Sequence, residues 1–278
     1  REICSVPELP EVETVRVALE PVISGQTIES VRLTRDNLRW PLPEHLDKRL
    51  LGQRCSVPKR RSKYILIDLS NQETLLIHLG MSGAIRLYDQ KPNFAKHDHF
   101  SVEFTSGQWV VFSDPRRFGH LDLFASAAKA THPLLSGLGV EPLSEAFTDS
   151  VLASLMKGRK APIKSALLDQ RLIAGLGNIY VSEALFRAGI SPRRKAGTIA
   201  GQRANRLTEA IKVVLREAIN AGGTSLRNHI QPGGEIGYFV QDLRVYGQAG
   251  QPCVDCGQGI KQIIQSGRSS FYCSSCQR

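Results

Sequence analysis

Four cysteines near the end of the chain have the spacing of a metal site. Cys253 and Cys256 form one C-x2-C pair, Cys273 and Cys276 form a second, and sixteen residues separate the pairs. Two such knuckles can present four thiolates tetrahedrally, and a site filled entirely by protein ligands is structural rather than catalytic. Two disulfides are the alternative, which a cytosolic setting disfavours. The spacing therefore predicts one structural Zn²⁺ ion.

The segment between the cysteine pairs reads as two short strands about a turn, over residues 261–272, with Arg268 at its tip. A hairpin that is pinned by a metal and presents an arginine is well shaped to lie beside a phosphate backbone or to enter a minor groove. A solvated surface arginine is the plain alternative. Position alone does not separate the two.

A second concentration of reactive side chains lies near the start of the chain. Residues 7–13 read PELPEVE, so a proline and three carboxylates crowd the start of a predicted helix. Proline and glutamate are also ordinary residues in a first helical turn, where the helix dipole favours anions. On these residues alone, the structural explanation is sufficient.

The charge of the chain is unevenly distributed. Its 278 residues carry a net charge of +10, of which residues 1–150 contribute −1 and residues 151–278 contribute +11. A near-neutral half joined to a strongly basic half predicts that the second half contacts a polyanion, most simply a nucleic acid. A basic protein kept soluble by its charge is the alternative.

The composition, with 41% hydrophobic and 22% charged residues, is that of a globular protein and excludes wholesale disorder. No apolar run approaches the roughly 18 residues that span a bilayer, and the first residues lack the apolar core of a signal peptide. We therefore expect a cytoplasmic protein that does not contact membranes.

Hydrophobic patterning predicts an α+β protein of two domains. A helix is expected over residues 10–23, and seven short β-rich runs between residues 27 and 125 predict an antiparallel sandwich or barrel. Helical spacing follows at 151–157, 163–169, 178–188 and 201–221. The predicted domains are a sandwich with flanking helices at 7–127, a linker at 128–150, a helical domain at 151–235 and a cysteine hairpin at 236–278.

Seven motifs, in order from Pro7 to Gln277, resemble those of the formamidopyrimidine-DNA glycosylase family. They are PELPEVETV at 7–15, RRSKY at 60–64, HLGMSG at 78–83, KHDH at 96–99, DPRRFG at 114–119, GLGNIY at 175–180 and the cysteine hairpin. The resemblance covers nearly the whole chain. It implies an N-terminal β-sandwich followed by a helix–two-turn–helix domain and a zinc-ribbon hairpin.

The resemblance implies a bifunctional DNA glycosylase and AP lyase of base excision repair, which removes oxidised purines, chiefly 8-oxoguanine and formamidopyrimidines. Pro7 matches the family's nucleophile, whose secondary amine attacks C1′ and forms an iminium that promotes β- and δ-elimination. Glu8 matches the residue that donates and accepts protons. Lys63 and Arg268 match the proton donors for β- and δ-elimination. The implied partner is lesion-containing double-stranded DNA, bound by a monomer in the bacterial cytoplasm, at the nucleoid.

Because a damaged base is stacked inside the duplex, the enzyme must extrude it and fill the gap. Met81, Arg116 and Phe118 match the family's filling residues, although without the family Met81 and Phe118 would be assigned to the core and Arg116 to a turn. Residues 224–238 match the loop that caps the flipped base, and their three glycines predict mobility. The predicted DNA contacts are His97, Arg116, Lys164 and Asn178.

One departure from the family pattern concerns residues 1–6, which precede Pro7. A proline nitrogen in a peptide bond is an amide and cannot attack C1′. The chain as written, with residues 1–6 attached, is therefore expected to be inactive. We hypothesise that Val6 marks a GTG start codon whose residue is removed.

Two other functions remain open at this point. An endonuclease VIII-like glycosylase would act on oxidised pyrimidines, but the PELPEVE opening, Met81 and the Arg116/Phe118 pair favour the purine branch. A non-catalytic zinc-ribbon DNA-binding protein would satisfy the basic half alone.

Overall fold

The structure is a computed structural model that describes residues 7–224 and 239–278. The described residues form two units. Unit 1 comprises residues 7–136 and 221–224, and unit 2 comprises Gly137–Asn220 and Phe239–Arg278. The predicted α+β fold class is confirmed, because unit 1 is built mainly from antiparallel strands and unit 2 from helices and one hairpin. The domain boundaries given above stay predictions.

Unit 1 is a sandwich of two four-stranded antiparallel sheets, in the orders β1-β6-β7-β5 and β2-β3-β4-β8. Helix α1 precedes the first strand, and a five-residue helix, α2, follows it. The elements are α1 (Leu9–Ile23), β1 (Ile28–Leu33), α2 (Leu46–Leu50), β2 (Lys59–Arg61), β3 (Tyr64–Asp68), β4 (Glu73–His78), β5 (Ala84–Tyr88), β6 (Asp98–Phe104), β7 (Trp109–Ser113) and β8 (His120–Ala125).

The core of unit 1 holds α1 in place. Val12, Val15 and Leu19 recur on one face of α1, and each is at most 1% exposed. They belong to the same hydrophobic cluster as Ile77 of β4 and Phe100 of β6. Burying a side chain of this size stabilises the fold by about 1.5–3 kcal/mol. The start of α1, which carries Pro7 and Glu8, is therefore anchored to the sandwich.

Two elements of unit 1 were not predicted. Strand β2 consists of three basic residues and has no apolar alternation; its pairing with β3, with Lys59 opposite Leu66 and Arg61 opposite Tyr64, defines it. Helix α2 is shorter than two turns and cannot show helical periodicity. The prediction of seven strands without an intervening helix was therefore wrong in these two details.

Unit 2 contains the helices α3 (Asp149–Met156), α4 (Ile163–Leu167), α5 (Asn178–Arg187) and α6 (Gln202–Asn220), followed by the hairpin of β9 (Lys261–Gln265) and β10 (Arg268–Tyr272). Helix α5 is central: Ile179 to Phe186 are all buried, and the helix packs against both α6 and β10. No described helix is both long and apolar enough to cross a membrane.

Candidate functional site

Pro7 and Glu8 lie at the start of α1, and both are buried. Glu8 is the N-cap residue and forms a capping box with Glu11. The Glu8 backbone N–H donates to Glu11 Oε2 at 2.9 Å, and the Glu8 side chain accepts from the Glu11 backbone N–H. A carboxylate here is stabilised by the positive end of the helix dipole. The capping box therefore holds the carboxyl of Glu8, the residue that directly follows Pro7 in the chain.

Glu11 was given no role by the sequence, but it connects α1 to a distant part of the chain. Its carboxylate, 1% exposed, accepts hydrogen bonds from Thr224 N–H and Thr224 Oγ1 at 2.8 Å each. Gly223 has φ +81°, and a Cβ there would lie 3.1 Å from Glu11 Oε1. A glycine is therefore required where the chain passes Glu11. The glycine pair at 222–223, directly after the helix predicted over 201–221, is the sequence signal for this contact.

Lys63 lies in the turn between β2 and β3, in which Ser62 has a positive φ of 56°. The hairpin is tied to α1 by Arg60, whose Nε donates to Glu13 Oε2 at 2.8 Å. Burial, and secondly the charge of Lys63, lowers the pKa of His78 on β4 to about 4. Lys63 thus lies on a hairpin bound to the helix that carries Pro7, with a neutral histidine nearby.

The three predicted gap-filling residues lie on two turns that contact each other. Met81 is half-buried in the 80–83 turn, whereas Arg116 is exposed and Phe118 half-buried in the 114–119 turn. The Arg116 guanidinium lies over the Phe118 ring, 5.0 Å from its centroid. A Cβ on Gly80 would lie 2.3 Å from the Phe118 carbonyl carbon, so only glycine allows the two turns to approach this closely.

Asp114, which sequence reasoning missed, locks these turns together. Its side chain is completely buried; Oδ1 accepts from Ser82 Oγ at 2.5 Å and Oδ2 accepts from Gly119 N–H at 2.7 Å. Ser82 Oγ in turn accepts from the Arg116 N–H at 3.1 Å. One buried carboxylate therefore spans the 80–83 turn and both ends of the 114–119 turn.

His97 is half-buried beside β6, and its ring centroid lies 6.2 Å from that of His99. His99 is hydrogen-bonded: its Nε2 lies 3.1 Å from Asp114 O and its Nδ1 lies 3.3 Å from Thr34 Oγ1. Burial lowers the pKa of His99. The DNA contact predicted for His97 stays a prediction.

In unit 2, the four cysteine side chains converge. Cys253 Sγ lies 3.9 Å from Cys276 Sγ, Cys256 Sγ lies 3.5 Å from Cys273 Sγ, and all four sulfurs lie within 4.8 Å of one another. A disulfide requires about 2.05 Å between sulfurs. Zn–S bonds of about 2.3 Å in a tetrahedron place the sulfurs about 3.8 Å apart. The four cysteines could therefore hold a metal ion, and they are not paired as disulfides.

Lys164 and Asn178, two predicted DNA contacts, converge on one backbone oxygen of the hairpin. Lys164 Nζ donates to Ser269 O at 2.8 Å and to Ser270 Oγ at 2.7 Å, and Asn178 Nδ2 donates to Ser269 O at 3.0 Å. Lys164 is only 1% exposed. Within the described residues, Asn178 Oδ1 is buried without a hydrogen-bond partner. Both residues hold β10 against α4 and the start of α5, and their predicted DNA contacts stay untested.

Arg268 follows the tip of the β9–β10 hairpin and is exposed. The tip residues Ser266 and Gly267 have φ values of 49° and 74°, as a two-residue hairpin turn requires. Arg268 is next to Ser269, whose carbonyl oxygen is held by Lys164 and Asn178. These two contacts therefore position the backbone of Arg268. Of the predicted capping segment 224–238, residues 225–238 lie outside the described residues.

Glu183 is a second buried carboxylate that the sequence analysis missed. It is completely buried in α5 and accepts backbone N–H bonds from Arg244, Val245 and Tyr246 at 3.0, 3.0 and 2.8 Å. Burial raises the pKa of this carboxyl. The available signal was a single carboxylate in a helix whose central residues are mostly apolar. Glu183 fixes the chain that leads into the cysteine hairpin.

Comparison with known proteins agrees with this fold. The model of the formamidopyrimidine-DNA glycosylase N-terminal domain matches residues 6–121, and that of the formamidopyrimidine-DNA glycosylase H2TH domain matches residues 138–229. A β-sandwich domain followed by a helix–two-turn–helix domain with a cysteine hairpin defines this class of DNA glycosylase. The solved MutM (Fpg) protein of Thermus thermophilus has the same fold, with a TM-score of 0.87, 40% identity and 98% coverage of both chains.

Two curated relatives are named formamidopyrimidine-DNA glycosylase. The protein of Cereibacter sphaeroides is 53% identical and that of Ruegeria pomeroyi 52%, each over 98% of this chain and 100% of the relative. The Lactococcus lactis Fpg, solved in complex with DNA containing an abasic site, is 34% identical, with a TM-score of 0.89 over 98% of this chain and 100% of that one. This chain belongs to the formamidopyrimidine-DNA glycosylase family.

Proposed function

We propose that this chain is a bifunctional DNA glycosylase and AP lyase of base excision repair, which excises 8-oxoguanine and formamidopyrimidines opposite cytosine. The observation that carries the proposal is the buried Pro7–Glu8 pair at the capped start of α1. Membership of the family supports the activity. The substrate is an oxidised purine in duplex DNA, and the product is a one-nucleotide gap.

Pro7 is the nucleophile of this reaction. Its nitrogen, as a free secondary amine, bonds to C1′ of the damaged nucleotide while the bond from C1′ to the base breaks and the base leaves with a proton. Opening of the sugar ring gives an iminium, which accepts the electrons released at C2′. The C3′–O bond then breaks by β-elimination and the C5′–O bond by δ-elimination.

Glu8 donates and accepts protons at the sugar. Glu8 directly follows the nucleophile in the chain, and the capping box with Glu11 holds its carboxyl in place. Lys63 supplies a proton during β-elimination and Arg268 during δ-elimination. Lys63 is positioned by the hairpin that Arg60 ties to α1, and Arg268 by the contacts of Ser269.

Met81, Arg116 and Phe118 fill the space that the extruded nucleotide leaves. Met81 and Phe118 supply apolar surface, and the Arg116 guanidinium can donate to the edge of the orphaned cytosine. Two observations support this role. The Arg116 guanidinium lies over the Phe118 ring within the 114–119 turn, and the buried Asp114 carboxylate bonds this turn to the 80–83 turn. His97, Lys164 and Asn178 belong to the proposed DNA interface.

Within this proposal, the sandwich at 7–127 is the catalytic domain and is joined by the linker at 128–150 to a helix–two-turn–helix domain at 151–235. The zinc-finger hairpin occupies 236–278. The protein acts as a monomer on double-stranded DNA, in the bacterial cytoplasm.

The metal ion is one Zn²⁺ held by Cys253, Cys256, Cys273 and Cys276, whose sulfur spacing fits a tetrahedral thiolate site. The ion stabilises the hairpin and takes no part in the chemistry, because protein ligands fill all its positions. Elemental analysis should find one zinc per chain. Cys256→Ala should lose it, whereas Cys55→Ala, at a buried cysteine outside the cluster, should retain it.

Cleavage of defined duplexes tests the function. Protein that begins at Pro7 should cut an 8-oxoguanine duplex opposite cytosine and leave phosphates on both sides of a one-nucleotide gap. Faster cleavage of an oxidised-pyrimidine duplex would favour the endonuclease VIII-like alternative. Binding without cleavage of either duplex would favour a non-catalytic DNA-binding protein and contradict the proposal.

A further inference from the structure

A basic pocket lies in unit 2, outside the residues assigned above. The pocket has a volume of about 490 Å³ and is lined by Ser191, Arg193, Arg194, Lys195, Thr198 and Arg278. Four of its six lining side chains are cationic, and none is acidic. In residues 7–224 and 239–278, no carboxylate side chain forms an ion pair with any of these four cations.

Backbone and side-chain bonds order the walls of the pocket. Arg194 Nε donates to Arg278 O at 3.0 Å, and Arg278 N–H donates to Gly189 O at 3.1 Å. Thr198 Oγ1 donates to Lys195 O at 2.8 Å, which orders the part of the wall formed by residues 195–198. Arg194 therefore has a structural task, while Arg193 and Lys195 are exposed.

The lining groups indicate the chemistry of the ligand. Guanidinium and ammonium groups beside hydroxyls offer many donors and few acceptors, which suits a phosphate rather than a neutral molecule. The pocket is open to solvent, so a phosphate that is part of a polymer can reach it. A phosphodiester backbone meets both conditions.

The pocket adjoins the proposed DNA interface. Pro192, the residue before Arg193, accepts through its carbonyl oxygen from Gln265 Nε2 at 3.3 Å and from the Lys164 N–H at 3.4 Å. Gln265 is the direct partner of Arg268 across the hairpin. The first cation of the pocket is thus one residue from a contact with the hairpin that presents Arg268.

We infer that the basic pocket binds a backbone phosphate of the DNA outside the lesion nucleotide, and so extends the interface that begins at Arg268. The inference rests on the proposed function, since it assumes that the hairpin meets DNA. Arg193 and Lys195 are the contact residues. They add affinity and salt dependence and take no part in excision.

Binding of the full chain to a duplex with a tetrahydrofuran abasic analogue, measured across a range of salt concentrations, tests the inference. The test variant is Arg193→Gln with Lys195→Gln. The matched control is Arg203→Gln with Arg216→Gln, which removes the same charge from exposed positions on α6. Each phosphate contact contributes about 0.9 to the slope of log affinity against log salt.

We expect the test variant to bind about five- to tenfold more weakly at about 0.1 M salt, with a slope shallower by about 1 to 2. The control should stay within about twofold of the unmodified chain. Equal affinity and slope for the test and control variants would overturn the inference. Failure of the unmodified chain itself to bind the lesion duplex would instead overturn the proposed function.

Two further probes separate other sources of anionic charge. Inorganic phosphate that binds the unmodified chain but not the test variant, while the DNA affinities of both proteins agree, would assign the pocket to a free anion and overturn the inference. The same pattern with polyglutamate would assign it to an acidic protein. Loss of DNA affinity in the test variant, with neither probe binding, supports the DNA backbone.

Discussion

The carboxylate of Glu11 accepts both the backbone N–H and the hydroxyl of Thr224, although 213 residues separate the two in the chain. The same carboxylate accepts the backbone N–H of Glu8. One buried group therefore joins Glu8, the proposed proton-transfer residue, to Thr224, the first residue of the predicted lesion-capping segment. This carboxylate holds together two parts of the proposed active site that are far apart in the sequence.

Removing the Thr224 hydroxyl tests this connection. Thr224→Val deletes one hydrogen bond to a buried carboxylate, so the free energy of unfolding should fall by about 1–2 kcal/mol. Single-turnover excision of 8-oxoguanine should slow, and Thr224→Ser, which keeps the hydroxyl, should restore the rate. Thr105→Val, at an exposed threonine, is the control. An excision rate for Thr224→Val equal to that of the control would show that the bond does not support the site.

Asp114→Asn should loosen the two turns that carry the gap-filling residues. The amide nitrogen cannot accept the hydrogen bond from Ser82 or from Gly119, so one buried donor loses its partner at a cost of about 1.5–3 kcal/mol in unfolding free energy. Fluorescence of 2-aminopurine opposite the lesion should report slower base extrusion. Asp89→Asn, at an exposed carboxylate, should change neither quantity. Unchanged extrusion in Asp114→Asn would mean that the turns keep their geometry without it.

The lowered pKa of His78 predicts a pH dependence of stability. Burial lowers its folded pKa from 6.5 to about 4, so between these values the unfolded chain binds more protons than the folded one. Stability should therefore be lost as the pH falls from about 6.5 towards 4. The difference between the two pKa values corresponds to about 3.4 kcal/mol at 1.36 kcal/mol per pH unit. Because solvent reaches part of the His78 side chain, we expect a loss of about 1–2 kcal/mol. His78→Gln should flatten the slope in urea unfolding, and an unchanged slope would assign the dependence to other groups.

Much of the fold follows from local sequence. The i, i+3, i+4 spacing of Val12, Val15 and Leu19 predicts α1, and the alternation and turn residues between positions 27 and 125 predict the sandwich. Strand β2 was missed because its three residues are all basic and show no apolar alternation, while the partners that define it, the β3 backbone and Glu13 of α1, come from elsewhere in the chain. Its pairing with a partner strand, and not a pattern in its own three residues, identifies it as a strand.

The sequence predicts some residues of the candidate site and misses others, depending on whether their partners are close in the chain. The cysteine spacing predicts a metal site because all four candidate ligands come from two short motifs. Glu11, Asp114 and Glu183 do not stand out, because each is a single carboxylate whose partners come from a remote segment. Only folding shows that these carboxylates are buried and fully engaged. Long-range hydrogen bonds of this kind leave no periodic signature.

The central claim, that Pro7 is the nucleophile, is tested most directly by borohydride trapping on an 8-oxoguanine duplex. Borohydride reduces an iminium to a stable amine, so protein beginning at Pro7 should become covalently joined to DNA. Mass spectrometry of the digest should place the adduct on the peptide that starts with Pro7. Protein that retains residues 1–6 should not be trapped at this position. An adduct at Lys63, or equal trapping of the two proteins, would contradict the claim.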